Sequence, residues 1–440
     1  MNENWWNKFS KDEIFFVSPD VKRGIGLVEV LPNYHLICTY DDPVIAILRK
    51  NGAKIFCLEE KIYDEAYRFN NSGKLLEHPQ VVSYIRSQAK SRPQIMFFKP
   101  SLKLETVIRD LGFGRIGNSY SLNEEFENKF KFFELVKQNF PAYSIPGEIG
   151  GIDKLTFSGL VKKYSVPFII QFARGWAGKT TYLIKEEKDF NRLKEQYTHM
   201  VVKVNKFIRG YTVLNNACIY EDKVLISSEA YQISGVEKLC KKETVTCGRQ
   251  WPAKKLSKNQ KNKIHEITRR VGELMKNCGY RGYFGLDFQI NEATEKVYLS
   301  ENNARLTAST QFWTRLEIDQ SVVPLLGYHL ATFLGRRISP NYITDISICG
   351  SQLILRNRFR LPDILQKNDF GVFGITKDQK PVLHNKKYYP EKLHRDEFIY
   401  MKKFHEEGQI YDSEFGRIES KMEVLERPAV LKQWVKDLLL

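Results

Sequence analysis

Between Gly285 and Arg305 the chain reads as two short strands about a polar turn, and its charged residues fall at spacings that a hairpin would bring together. Gly285 to Asn291 and Lys296 to Glu301 have strand character, and Glu292-Ala293-Thr294 supplies the turn. Pairing symmetric about Thr294 sets Asp287 opposite Glu301. Side chains alternate faces along a strand, so Glu301, Asn303 and Arg305 leave the same face as Asp287 if the strand continues. Ala304, Leu306 and Ala308 on the intervening positions predict that the other face is buried. Two carboxylates so close repel unless a cation lies between them. The oxygen set of Asp287, Glu301 and Asn303 suits Mg²⁺, one ion or two, with Mn²⁺ as its alternative. An ordinary solvated hairpin face is the competing reading.

A second segment, Phe168 to Ile184, carries Gly175, Gly178 and Lys179 between two apolar runs. Such a loop brings backbone amides close to phosphate oxygens. Ala173 to Thr180 also comes within one residue of a P-loop, which would require a helix directly after it. Thr180-Thr181-Tyr182-Leu183-Ile184 is β-branched and aromatic, which predicts a strand and makes the loop a hairpin flap.

Around these segments the sequence predicts an α/β (α+β) protein. Strands are expected at Ile14 to Val17, Lys54 to Leu58 and Ile95 to Phe98, with helices at Pro43 to Lys50 and Gln80 to Ala89. One helix is expected from Asn123 to Asn139, then a Pro- and Gly-marked joint, then paired strands at Phe168 to Phe172, Thr180 to Ile184, Val201 to Phe207, Thr212 to Tyr220 and Val224 to Tyr231. A long amphipathic helix follows, Lys258 to Asn277, and the last ~100 residues read as mixed β with a terminal helix. The segment Cys240 to Pro252, with Arg249, is expected to be a loop: an acceptor-site lid, or a plain exposed connection.

At 440 residues the chain exceeds one ordinary core. It has no apolar run of membrane-spanning length, no signal-peptide pattern, and seven cysteines without pairing motifs, which points to a reduced, cytoplasmic protein. The net charge of +16 is dispersed along the chain, so a Lys-rich surface is expected rather than a nucleic-acid partner. Eight scattered histidines show no ligand spacing, and no Ser/His/Asp or Cys/His set is evident.

The two segments, in this order with a helix between them, resemble the ATP-grasp family from about Asn123 to Gly335. Glu301-Asn302-Asn303-Ala304-Arg305 is similar to that family's Glu-x-Asn-x-Arg signature, and Asp287 to its partner metal ligand. The resemblance implies an N-terminal α/β domain (1–122), an ATP-grasp domain (123–335, jointed near 141–151) and a C-terminal β-rich domain (336–440). It implies that Lys129 contacts ATP phosphates, that Gly175 to Gly178 covers them, and that backbone at Lys206 and Ile208 meets the adenine edge. Gln171, Asn205 and Thr212 depart from the family: they stand where a lysine and two glutamates are usual. Neutral groups there give up charge-assisted contacts, which leaves nucleotide preference open and Lys179 or Lys203 as substitutes for the lysine.

The activity so implied is an ATP- and Mg²⁺-dependent ligase that makes an acyl phosphate of a small carboxylic acid and joins it to an amine, less often a thiol. Arg305 would orient the acid. No membrane partner is expected, and a homo-oligomer is left open. The alternatives are a P-loop-like nucleoside triphosphatase using Lys179 and Thr180, and an inactive ATP-grasp fold that binds nucleic acid.

Overall fold

The computed structural model describes residues 4–62, 69–173, 180–344, 346, 348–358, 361–403 and 411–439. A five-stranded parallel sheet comes first, in the order Lys54–Cys57, Tyr34–Cys38, Ile14–Val17, Gln94–Phe97, Gly114–Ile116. Its helices follow local signals: Pro43–Lys50 starts on the Asp42 cap with proline at its first position, and Leu102–Asp110 starts on Ser101. Strands Tyr34–Cys38 and Gly114–Ile116 were not expected from the sequence.

The helix predicted from Asn123 to Asn139 is two helices, Tyr120–Glu127 and Lys129–Asn139. Asn128 interrupts it because its side chain accepts from the amides of Phe130 and Lys131, a cap in place of a helical turn. Lys129 thereby becomes the first residue of a helix, and its own amide donates to the Ala173 carbonyl at 3.1 Å.

A small lobe then builds a four-stranded sheet in the order Gly147–Gly151, Val201–Lys206, Phe168–Gln171, Thr181–Ile184. The last two strands form an antiparallel hairpin, Gln171 facing Thr181. A strand where a P-loop needs a helix overturns the P-loop alternative. Residues 174–179, including Gly175, Gly178 and Lys179, lie outside the described residues.

Among the described residues the rest of the chain forms a separate pair, Leu425–Arg427 with Val430–Leu431, and an eleven-stranded sheet, in which strands from the C-terminal stretch extend those of the middle. The amphipathic helix Lys258–Asn277, opened by a Ser257/Gln260 capping box, packs Ile264, Ile267, Val271 and Met275 onto it. The predicted strand Val224 to Tyr231 is two, Lys223–Ile226 and Ala230–Ser234. Gly210, where the small lobe passes into the large sheet, has φ of 156°, and a Cβ there would stand 1.9 Å from the Ile290 carbonyl oxygen. Among the described residues no helix is long and apolar enough to cross a membrane.

Candidate active site

The parallel sheet, the small lobe and the large sheet converge on one cleft of about 1360 Å³. Its floor holds the hairpin Gly282–Asn291 and Val297–Asn303. Near the turn the register is Ile290 to Val297, Gln289 to Tyr298 and Phe288 to Leu299. Ser300 is then skipped, and Asp287 meets Glu301, Leu286 meets Asn302 and Gly285 meets Asn303. This bulge turns Asp287, Glu301 and Asn303 to one face. The expected opposition of Asp287 and Glu301 is therefore present, although symmetry about Thr294 does not hold near the turn.

Asn303 Nδ2 donates to Asp287 Oδ1 at 3.1 Å, and Lys129 Nζ lies 2.5 Å from Glu301 Oε2. Burial first, then the charge of Glu301, pushes Asp287 up to about 7, against the pull of Lys129, Arg305 and Arg249. Two carboxylates and an amide oxygen on one face of a polar cleft, with Asp287 raised by burial and by its neighbour's charge, are the set a hard divalent cation relieves, so these residues fit magnesium.

Arg305 is largely covered and held at three points: Nε donates to Glu127 Oε1 at 3.0 Å, Nη2 to Asn303 Oδ1 at 2.9 Å and Nη1 to the Leu306 carbonyl at 2.9 Å. Two of its five N–H groups stay free for a ligand. Burial raises the proton affinity of Glu127, yet Arg305 and Lys99 hold its carboxyl below the ordinary range. Glu127 was not read from the sequence, since nothing in a helix-ending glutamate marks a contact 178 residues away.

Gln171 stands directly across from Lys203, and its Nε2 donates to Thr181 Oγ1 at 3.1 Å. Opposed residues share a face, so Lys203 projects where Gln171 does. Lys203 is buried; burial first, then Lys129, pushes its ammonium down to about 7 while Glu301 pulls the other way. Asn205 is buried beside them with Oδ1 unpartnered. The Lys206 amide donates to the Pro146 carbonyl at 2.9 Å, and Lys206, Phe207 and Ile208 all line the cleft. Thr212 accepts from Gln289 Nε2 at 2.7 Å on the same wall.

Arg249 corrects the lid expectation. It lies in the strand Thr246–Trp251, between Ala230–Ser234 and Gly350–Arg356, so it is fixed in the middle of the large sheet. Alternation along Thr-Cys-Gly-Arg-Gln-Trp is too polar to read as a central strand, because one of its faces lines the cleft. Only the residues before it form a connection, which reaches the small lobe through Lys185 and Glu243 at 2.5 Å.

A parallel α/β sheet, a small antiparallel lobe and a long antiparallel sheet about one cleft make the ATP-grasp fold, as the resemblance implied. Solved structures agree. The chain is similar to the biotin carboxylase of Campylobacter jejuni in a β,γ-ATP complex, with a TM-score of 0.60 and 14% identity over 93% of this chain and 88% of that one. It is similar to an N5-carboxyaminoimidazole synthetase from Staphylococcus aureus complexed with ADP (TM-score 0.56, 12% identity, 96% and 94% covered). The biotin carboxylase domain of the Hydrogenobacter thermophilus 2-oxoglutarate carboxylase, with MgADP, ADP and bicarbonate, gives 0.58 at 14% identity, covering 93% and 86%. No family model matches the chain, and no curated protein matches it in sequence.

Proposed function

We propose that the protein is an ATP-dependent ligase that activates a carboxylate as an acyl phosphate and passes the acyl group to an amine. The observation that carries this reading is the bulged hairpin, which gathers Asp287, Glu301 and Asn303 within reach of Lys129 in a nucleotide-sized cleft. Similar folds have been solved with ATP, ADP and MgADP, which supports the same cofactors here.

Phe207 and Ile208 would receive the adenine of ATP and Lys129 and Lys203 its phosphates, the second lysine serving in place of the one absent at Gln171. Magnesium held by Asp287, Glu301 and Asn303 would offset phosphate charge during transfer. Arg305, fixed by Glu127, directs its free N–H groups to the acid. A carboxylate oxygen attacks the γ-phosphorus, the bond to the β,γ-bridging oxygen breaks, and ADP leaves. The amine nitrogen then attacks the acyl carbon; the C–O bond to phosphate breaks, inorganic phosphate leaves, and the nitrogen loses its proton as the amide forms. Gly175, Gly178 and Lys179 are proposed to cover the phosphates.

The test is phosphate release from Mg·ATP across carboxylic acids, each with and without amines. Release that needs an acid and rises with an amine is expected. Binding of Mg·ATP without acid-dependent release from any acid would end the ligase reading.

A further inference from the structure

Across the large sheet from the hairpin, the arginines that line the cleft include three from distant parts of the chain, Arg23, Arg249 and Arg417. Arg23 ends the turn Val21–Arg23 just past the carboxyl end of the strand Ile14–Val17. Arg249 stands mid-strand, and Arg417 comes from Glu414–Ser420. All three face the same cleft as Asp287.

Their partners are too few. Arg417 Nε donates to Glu414 Oε1 at 2.7 Å, while Arg417 Nη2 and Arg23 Nε reach the same oxygen of Asp20, at 3.7 and 3.8 Å. The Arg249 side chain, in a residue 4% exposed, makes no hydrogen bond or ion pair among the described residues, and its Nε is fully enclosed without an acceptor. Arg23 Nη1 is also enclosed and unpartnered. Arg315 shows what a merely structural buried arginine looks like in this protein. Its Nε and Nη2 grip Glu391 at 3.0 and 2.7 Å, and Nη1 donates to the Val28 carbonyl at 3.0 Å. Arg249 has none of this. Burial first, then the charge of Arg417, pushes both Arg249 and Arg23 down to about 10. Guanidinium groups are strongly disfavoured in the interior unless an anion answers them, and their planar forks match carboxylate and phosphate.

We propose that Arg23, Arg249 and Arg417 form an oxyanion site, so that one of the two co-substrates carries a carboxylate or phosphate in addition to its reacting group. This rests on the ligase reading above for the identity of the co-substrates, but the anion site itself can be tested without it. Phe98 backs Arg23 at 4.3 Å and Arg305 at 4.9 Å, which ties this wall to the arginine proposed to orient the acid.

The first experiment titrates inorganic phosphate into the full chain, alone and with saturating Mg·AMP-PNP to fill the nucleotide's own phosphate contacts. Saturable binding in the millimolar range or tighter is expected in both, weakened about tenfold by Arg249→Gln and by Arg23→Gln and unaffected by the surface change Lys258→Gln. Unchanged melting temperature shows that each variant folds. No saturable binding, or equal binding in both arginine variants, overturns the proposal. Absence of Mg·AMP-PNP binding would sink the ligase reading while leaving the nucleotide-free titration valid.

A second experiment finds which co-substrate bears the group. Phosphate release is compared for dicarboxylic acids against their monoamides, and for amino acids against their amides. A KM raised about tenfold by Arg249→Gln only for the diacids puts the second anion on the acid; a rise only for the amino acids puts it on the amine. Equal effects on the charged and amidated forms overturn the proposal.

Discussion

The hairpin end and the arginine wall share one cleft but treat charge in opposite ways. At the hairpin most charges are paired: Glu301 has Lys129, Arg305 has Glu127, and Glu127 has Lys99 as well, at 2.7 Å, while Asp287 has the Asn303 amide alone. At the wall Arg23 and Arg417 share Asp20, Arg417 also holds Glu414, and Arg249 pairs with neither, feeling Asp287 and Glu414 only at longer range. A cluster that neutralises itself keeps its shape before any ligand arrives, which suits a place where phosphoryl transfer needs preset geometry. A cluster left with excess positive charge is destabilised until an anion enters, which suits recognition.

The sharpest way to break the hairpin half of this comparison is Glu301→Gln. It removes a charge proposed to hold the metal and leaves Lys129 without its partner, while the shape is kept. Acid-dependent phosphate release should fall about 10²–10³-fold, measured in the steady state with saturating Mg·ATP. A loss smaller than about tenfold would show that the hairpin does not carry the metal chemistry.

Next in size are the two arginines compared by stability. Arg305→Met abandons Glu127 in a buried site, and a loss of about 3 kcal/mol is expected, moderated by Lys99. Arg249→Met takes away a buried charge that no ion pair holds and that only the longer-range pull of Asp287 and Glu414 offsets, so the folded state should be unchanged or more stable by about 1 kcal/mol. Urea unfolding of the two variants decides it. Equal losses would mean that Arg249 is braced like Arg315, and the contrast between the two ends would collapse.

Much of the hairpin end was legible because its information is local. Asp287, Glu301, Asn303 and Arg305 sit within one supersecondary unit, where strand alternation and a polar turn suffice to bring them together. Even there the reading succeeded through a bulge at Ser300 that it did not foresee: the residues next to the turn pair one step out of the assumed symmetry. Lys203 was visible only as a candidate replacement for the lysine missing at Gln171; its place depends on a strand register set by the small lobe's core. The arginine wall was mostly illegible. Arg417 enters from a strand whose place in the sheet is fixed by long-range pairing, and Arg249 sat in a segment polar enough to pass for a loop. Arg23 did carry a usable signal, since ligands gather beyond the carboxyl ends of parallel strands and Ser18-Pro19-Asp20-Val21-Lys22-Arg23 follows the first one.

The smallest expected effect is the one that probes how the hairpin's charges answer a nucleotide. Lys203, held down to about 7 by burial and Lys129, is mostly neutral at pH 8, and Asp287, pushed up to about 7, is by then ionised. A phosphate chain beside Lys203 favours its charged form and restores a higher proton affinity, so binding Mg·ATP at pH 8 should take up roughly one proton. At pH 6 the sign reverses: Lys203 is already charged, whereas Asp287 is largely protonated and must release its proton to face a cation. Calorimetric titrations in buffers of different ionisation enthalpy measure both values, after the nucleotide's own protonation is subtracted. Lys203→Met should abolish the uptake at pH 8 and spare the release at pH 6, and Asp287→Asn should do the reverse. Uptake that survives in Lys203→Met would move the phosphates away from that lysine and leave the gap at Gln171 unfilled.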